Sequence, residues 1–144
     1  MRAIITLFAA MLVSWAVAYA AELALGIALN AHEELIVAMI AEIVFVVLLS
    51  AVFGVVLLAG GGARAVTVTA IVVAVVGFLV LAGFEAFALI DETVALAPSD
   101  VPLLAETGGP ALISVIIQWW MVRRYVRRRD AAPPPLAAQT HMTG

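Results

Sequence analysis

Cysteine is missing from this chain, which excludes disulfides, thiolate metal sites and cysteine nucleophiles and leaves the redox compartment unread. Lysine is missing too, all seven basic residues being Arg. The run Gly60-Gly61-Gly62 therefore has no Lys-Ser or Lys-Thr after it, as a phosphate-binding loop would need, and reads as a tight turn. Charge of either sign is scarce: 12% of the 144 residues are charged against 66% apolar, with a mean hydropathy of +1.21. Soluble domains do not carry that balance, so the solvent this chain is written for is lipid. Histidine occurs only as His32 and His141. Ser14, Ser50 and Ser114 thus have no His in their segments, no nucleophile stands beside a base, and nothing marks an enzyme or names a cofactor.

What is present in abundance is long apolar sequence. A bilayer core of about 30 Å takes roughly 20 apolar residues in a helix, at about 1.5 Å per residue. Ala3 to Leu29, Leu35 to Ala59 and Ala65 to Ile90 all meet that length. In lipid every backbone N–H and C=O must be paired within its own segment, so these Val- and Ile-rich runs are expected as helices although in water they would favour strands. A fourth span, Val101 to Val122, is weaker, holding Pro102, Glu106 and the breaker Gly108-Gly109-Pro110. Its helix is expected to start near Pro110, where a missing N–H costs nothing, and to end among the arginines. The fold class expected is an all-α integral membrane protein, an up-down bundle of four transmembrane helices over residues 1–130. Residues 131–144, with Pro133-Pro134-Pro135, are expected as a disordered cytoplasmic tail.

The connections sort by sign. Arg2 precedes the first span, Gly60 to Arg64 is basic, and Arg123, Arg124, Arg127, Arg128 and Arg129 follow the last, whereas Asn30 to Glu34 and Asp91 to Asp100 are acidic. With four spans every Arg falls on one side, which the positive-inside rule makes cytoplasmic, with both termini there. A bacterial inner membrane is the expected location. Trp119, Trp120 and Tyr125 fall at the depth of a cytoplasmic aromatic belt. Arg2, an apolar run and Ala18-Tyr19-Ala20 also fit a cleaved secretory signal. The apolar stretch continues past that point to Leu29, and its small residues form a packing face, so the first span is expected to stay.

That face is a row at spacing four: Thr6, Ala10, Ser14, Ala18, Glu22, Gly26 and Asn30, with no large apolar side chain. Lipid gives no hydrophobic drive between helices, so association rests on close approach along small residues and on interhelical hydrogen bonds. The second span offers Glu34, Ala38, Glu42, Val46, Ser50 and Gly54, the third Thr67, Ala70, Ala74 and Gly77, and the fourth Ser114 and Gln118.

The residues with chemistry to offer are acids. Glu22, Glu42 and Glu85 each lie roughly 9 to 12 Å below the outer end of a different span. An ionisable group there costs about 2.5 to 3.5 kcal/mol on insertion scales and is a site hypothesis by default, against the plainer role of interhelical hydrogen bonding. Two carboxylates about 6 Å apart at an effective dielectric near 20 repel by roughly 3 kcal/mol, so full ionisation needs a bound cation. His32, Glu33 and Glu34 at the outer mouth form a possible weak metal site with Asp91, Glu92 or Glu106, but the spacing matches no metal motif. A capping box of Asn30 and Glu33, with acids suiting a helix N-terminus, explains most of this pattern and is the favoured reading. The arginines Arg123, Arg124, Arg127, Arg128 and Arg129 are candidates for anionic lipid headgroups, besides anchoring the topology. Apart from them nothing offers nucleic acid a docking surface.

Two functions are open on these grounds. One is a small transport protein binding or translocating a proton or cation through Glu22, Glu42 and Glu85, as a homo-oligomer; the other is a non-catalytic accessory or assembly subunit of a larger membrane complex.

Overall fold

The computed structural model describes residues 1–29, 35–90 and 103–132, with side chains for these except 26–29, 35–38, 84, 85, 87–90 and 103–107. Four helices make up the described residues: α1 (Arg2–Leu29), α2 (Leu35–Leu58), α3 (Ala63–Ile90) and α4 (Leu103–Asp130). Within the first three, Arg2–Leu25, Met39–Leu58 and Ala63–Gly83 are long and apolar enough to cross a membrane. Their outward surface is a membrane protein's: Phe8, Leu48, Val55, Ile71 and Leu79 are all more than half exposed, far more apolar surface than water tolerates on a monomer.

The helix boundaries follow from backbone chemistry. α2 ends in a Schellman cap, with the Gly61 N–H on the Val56 carbonyl at 2.9 Å and the Gly60 N–H on the Leu57 carbonyl at 3.1 Å. That motif needs a left-handed residue after the last turn, and Gly60 supplies it at φ 74°. A Cβ at Gly61 would stand 2.7 Å from the Val56 carbonyl oxygen, so glycine is required twice in this turn. α3 then starts at Ala63, two residues earlier than the apolar run implied, and Arg64 lies in its first turn.

The start of α4 differs from the expectation. The helix begins at Leu103 and runs through Gly108, Gly109 and Pro110 for 28 residues. Pro110 removes one hydrogen bond, yet the helix continues through it, as a helix held by packing on its neighbours can. At its other end α4 carries on past Val122 through the arginines to Asp130.

The helices form a ring in which α1 packs on α2 and α4, and α4 packs on α3 and also reaches α2. Among the described residues α1 and α3 do not touch, and α2 and α3 touch only sparingly. The core is Leu49, Phe53 and Leu57 of α2, Val66 and Ala70 of α3, and Val115, Val122 and Val126 of α4. Ala10, Ser14 and Ala18 of α1 are fully buried, so the small-residue row of the first span faces protein. On α2 the expected row holds through Glu42 and Val46 and then gives way to Leu49, Phe53 and Leu57, because a strict spacing of four drifts off a 3.6-residue helix face.

Leu7 of α1 lies against Gly54 of α2, and the Arg129 guanidinium donates to the Gly61 carbonyl at 3.3 Å. Arg2, Arg64 and the arginine run are thereby gathered at one end of the bundle.

Candidate functional site

Lipid-facing helices must settle their polar side chains internally, and Gln118 does this for three helices at once. Fully buried on α4, its amide donates to the Ser14 hydroxyl of α1 at 3.0 Å and to the Val46 carbonyl of α2 at 3.2 Å. Its amide oxygen accepts from the Ser50 hydroxyl at 3.1 Å. Ser14 passes its own proton to the Met11 carbonyl at 3.0 Å. On the other side of α4 the Trp119 indole donates to the Thr67 hydroxyl of α3 at 3.1 Å. Trp119 therefore faces the bundle rather than the aromatic belt, and of the two tryptophans only Trp120 points outward.

About a turn farther from the arginine end the chemistry changes. Glu42 of α2 is 8% exposed, and among the described residues neither of its carboxyl oxygens has a hydrogen-bond partner. Its polar neighbours are the Glu22 carboxyl of α1 and the Ser114 hydroxyl of α4. One oxygen of Glu22 and the Ser114 hydroxyl are themselves buried and unpaired. The structure thus brings together two of the three acids singled out in the sequence. The side chain of Glu85, in α3, lies outside the described residues, as do His32, Glu33 and Glu34 and the capping box with Asn30.

Glu22 and Glu42 open into a cavity of about 480 Å³. α2 contributes Ala41 and Phe45, α3 Ala74, Gly77 and Phe78, and α4 the segment from Gly108 to Leu112. Phe78 and Val80 of α3 and Leu112 of α4, which line it, are about half exposed, so it opens on the flank of the bundle beside α3. Ser114 was legible in the sequence as a packing residue; that it stands beside an acid follows only from the crossing of α2 over α4.

At the arginine end, the Arg123 guanidinium sits over the Trp119 ring at 5.0 Å and Arg124 over Trp120 at 5.2 Å. With Arg127 and Arg128 they line a shallow depression of about 310 Å³. Arg129 turns elsewhere, to the Gly61 carbonyl and to Asp130 at 3.0 Å. No cluster of three or more metal-ligating side chains occurs among the described residues.

No family model matches this chain, and no curated protein or solved structure matches it.

Proposed function

We propose that the protein is a four-span membrane protein whose buried carboxylates Glu22 and Glu42, with Glu85 of α3 as the third member, bind or translocate a proton or cation. The observation that carries this reading is Glu42: an acid withdrawn from solvent, with neither oxygen hydrogen-bonded among the described residues, beside a second acid at the wall of the same cavity. Hydrogen-bonded glue between α1, α2 and α4 is already supplied by Gln118 with Ser14, Ser50 and the Val46 carbonyl. Two neighbouring carboxylates cannot both stay ionised and unaccompanied in an apolar setting, so the pair takes up a proton or another cation.

The span assignment for α4 rests on its outward row. Leu112, Ile116 and Trp120 are 50, 51 and 53% exposed, while the polar Ser114 and Gln118 are buried. The helix is polar in composition yet presents hydrocarbon to its surroundings. With the arginines at one end, the positive-inside rule puts that end and both termini in the cytoplasm. Reporters fused at Gly144 and Gly61 then read inside, and one at Pro98 outside. The shelf of Arg123, Arg124, Arg127 and Arg128 suits anionic headgroups there, at about 1 kcal/mol per residue.

The test is chemical labelling. A hydrophobic carbodiimide reacts with protonated carboxyls in apolar sites, so at neutral pH it is expected to modify Glu42 or Glu22, read by peptide mass spectrometry. An added cation that occupies the site slows the reaction. No labelling of either residue between pH 6 and 8, with or without sodium, calcium or zinc, sinks the reading. Stable co-purification with other subunits would then make the chain an accessory subunit.

A further inference from the structure

We propose that the cavity lined by α2, α3 and α4 receives a lipophilic organic cation, a positive centre carried on an apolar body, entering sideways from the membrane. This rests on the reading of Glu22 and Glu42 as a cation or proton site and names the class of cation.

The argument starts from the mismatch between the acids and their walls. Calcium and magnesium take six or more oxygens at about 2.0–2.6 Å, and zinc takes about four ligands, from protein or from retained water. The described polar groups at this site are two carboxyls, with the Ser114 hydroxyl beside them, and the remaining walls are hydrocarbon and aromatic ring. A hydrated ion would turn its water toward Phe45, Val73 and Leu81, which offer it nothing. The space is also far too large for a bare ion: about 480 Å³ lies in the range of pockets that enclose small organic ligands.

An organic cation satisfies both halves of the cavity. Its charge meets Glu42 and Glu22, and its body covers apolar wall that includes the aromatic Phe45 and Phe78. The room is left by small residues that packing does not require: a Cβ at Gly77 or Gly109 would meet nothing within 4 Å. The mouth opens on the flank of the bundle beside α3, next to the half-exposed Phe78, Val80 and Leu112. That is where a molecule partitioned into lipid arrives.

The experiment is equilibrium dialysis of the purified full chain in mild detergent, with tetraphenylphosphonium and with its shape-matched anion tetraphenylborate. Saturable binding of the cation is expected, and none of the anion. Glu42→Gln, which removes the charge, and Gly77→Trp, which fills the cavity without touching either acid, are each expected to weaken cation binding at least about tenfold. Thermal melts confirm the fold of both variants, and Gly77→Leu replaces Gly77→Trp if the larger side chain unfolds the protein. Equal binding of cation and anion, or of wild type and Glu42→Gln, overturns the proposal. Carbodiimide labelling separates the two levels. Labelling of Glu42 that sodium, calcium or zinc slows, but tetraphenylphosphonium does not, defeats this inference and leaves the underlying site standing. No labelling together with no binding defeats both.

Discussion

Gln118 and Glu42 are both polar side chains buried in an apolar bundle, and their surroundings divide their roles. Gln118 has all its hydrogen bonds within the protein, to three residues on two other helices. Bonds of this kind between membrane helices are worth about 0.6 kcal/mol on average and up to about 1.7 kcal/mol. Gln118→Leu is therefore expected to lower stability by about 1–2 kcal/mol, read as a lower midpoint in thermal or SDS unfolding, since Ser14 already has the Met11 carbonyl to fall back on. An unchanged midpoint would mean that the network adds nothing. At this scale the sequence was half legible. Glu22 and Glu42 stand out because a charge in an apolar run needs a reason, and Gln118 and Ser114 could be placed on one face. That the amide would be satisfied and the acids left unpaired depends on how α1, α2 and α4 cross, which spacing along one helix cannot reveal.

Among the elements, α1 and α4 are the informative pair. The row Ala10, Ser14 and Ala18 is fully buried, so the reading from small residues alone was sound for α1. Ala18→Leu is expected to overpack that contact at a cost of about 1–3 kcal/mol. Val13→Leu, on the outward face at 44% exposure, should stay within about 0.5 kcal/mol. At Gly54 the nearest atom to an added Cβ is the Leu7 side-chain end at 3.5 Å, so Gly54→Ala is tolerated and only larger side chains strain the α1–α2 contact. Thermal melting of these three variants in one detergent checks the order; equal loss at Ala18 and Val13 would mean that the faces are misassigned. α4 was the element the sequence described least well. The run Gly108-Gly109-Pro110 reads as a break when judged by residues that usually end helices, yet the helix passes through it from Leu103. Packing of α4 on α1 and α3 outweighs local propensity here. The glycines and proline have a different consequence: they line the cavity beside Glu42 and leave it open.

At the scale of the whole molecule the chain is polarised along its length. One end carries all seven arginines, with Arg123 and Arg124 laid over tryptophan rings, and the acids Glu22 and Glu42 lie deeper, in the thinly packed side of the ring. This asymmetry was visible in the sequence as a sorting of charges between connections. The lateral opening was not, because it depends on how closely α3 packs on α2 and α4, which no single span reveals. If that geometry serves ion movement, the purified chain should work alone. It should be reconstituted into vesicles containing a pH-sensitive or sodium-sensitive dye, with an imposed ion gradient and membrane potential, and compared with Glu42→Gln carrying the same thermal midpoint. The account predicts a proton or cation flux well above that of protein-free vesicles, reduced at least about tenfold by the single amide substitution. A wild-type flux no greater than that of protein-free vesicles, or one that Glu42→Gln leaves unchanged, would contradict it.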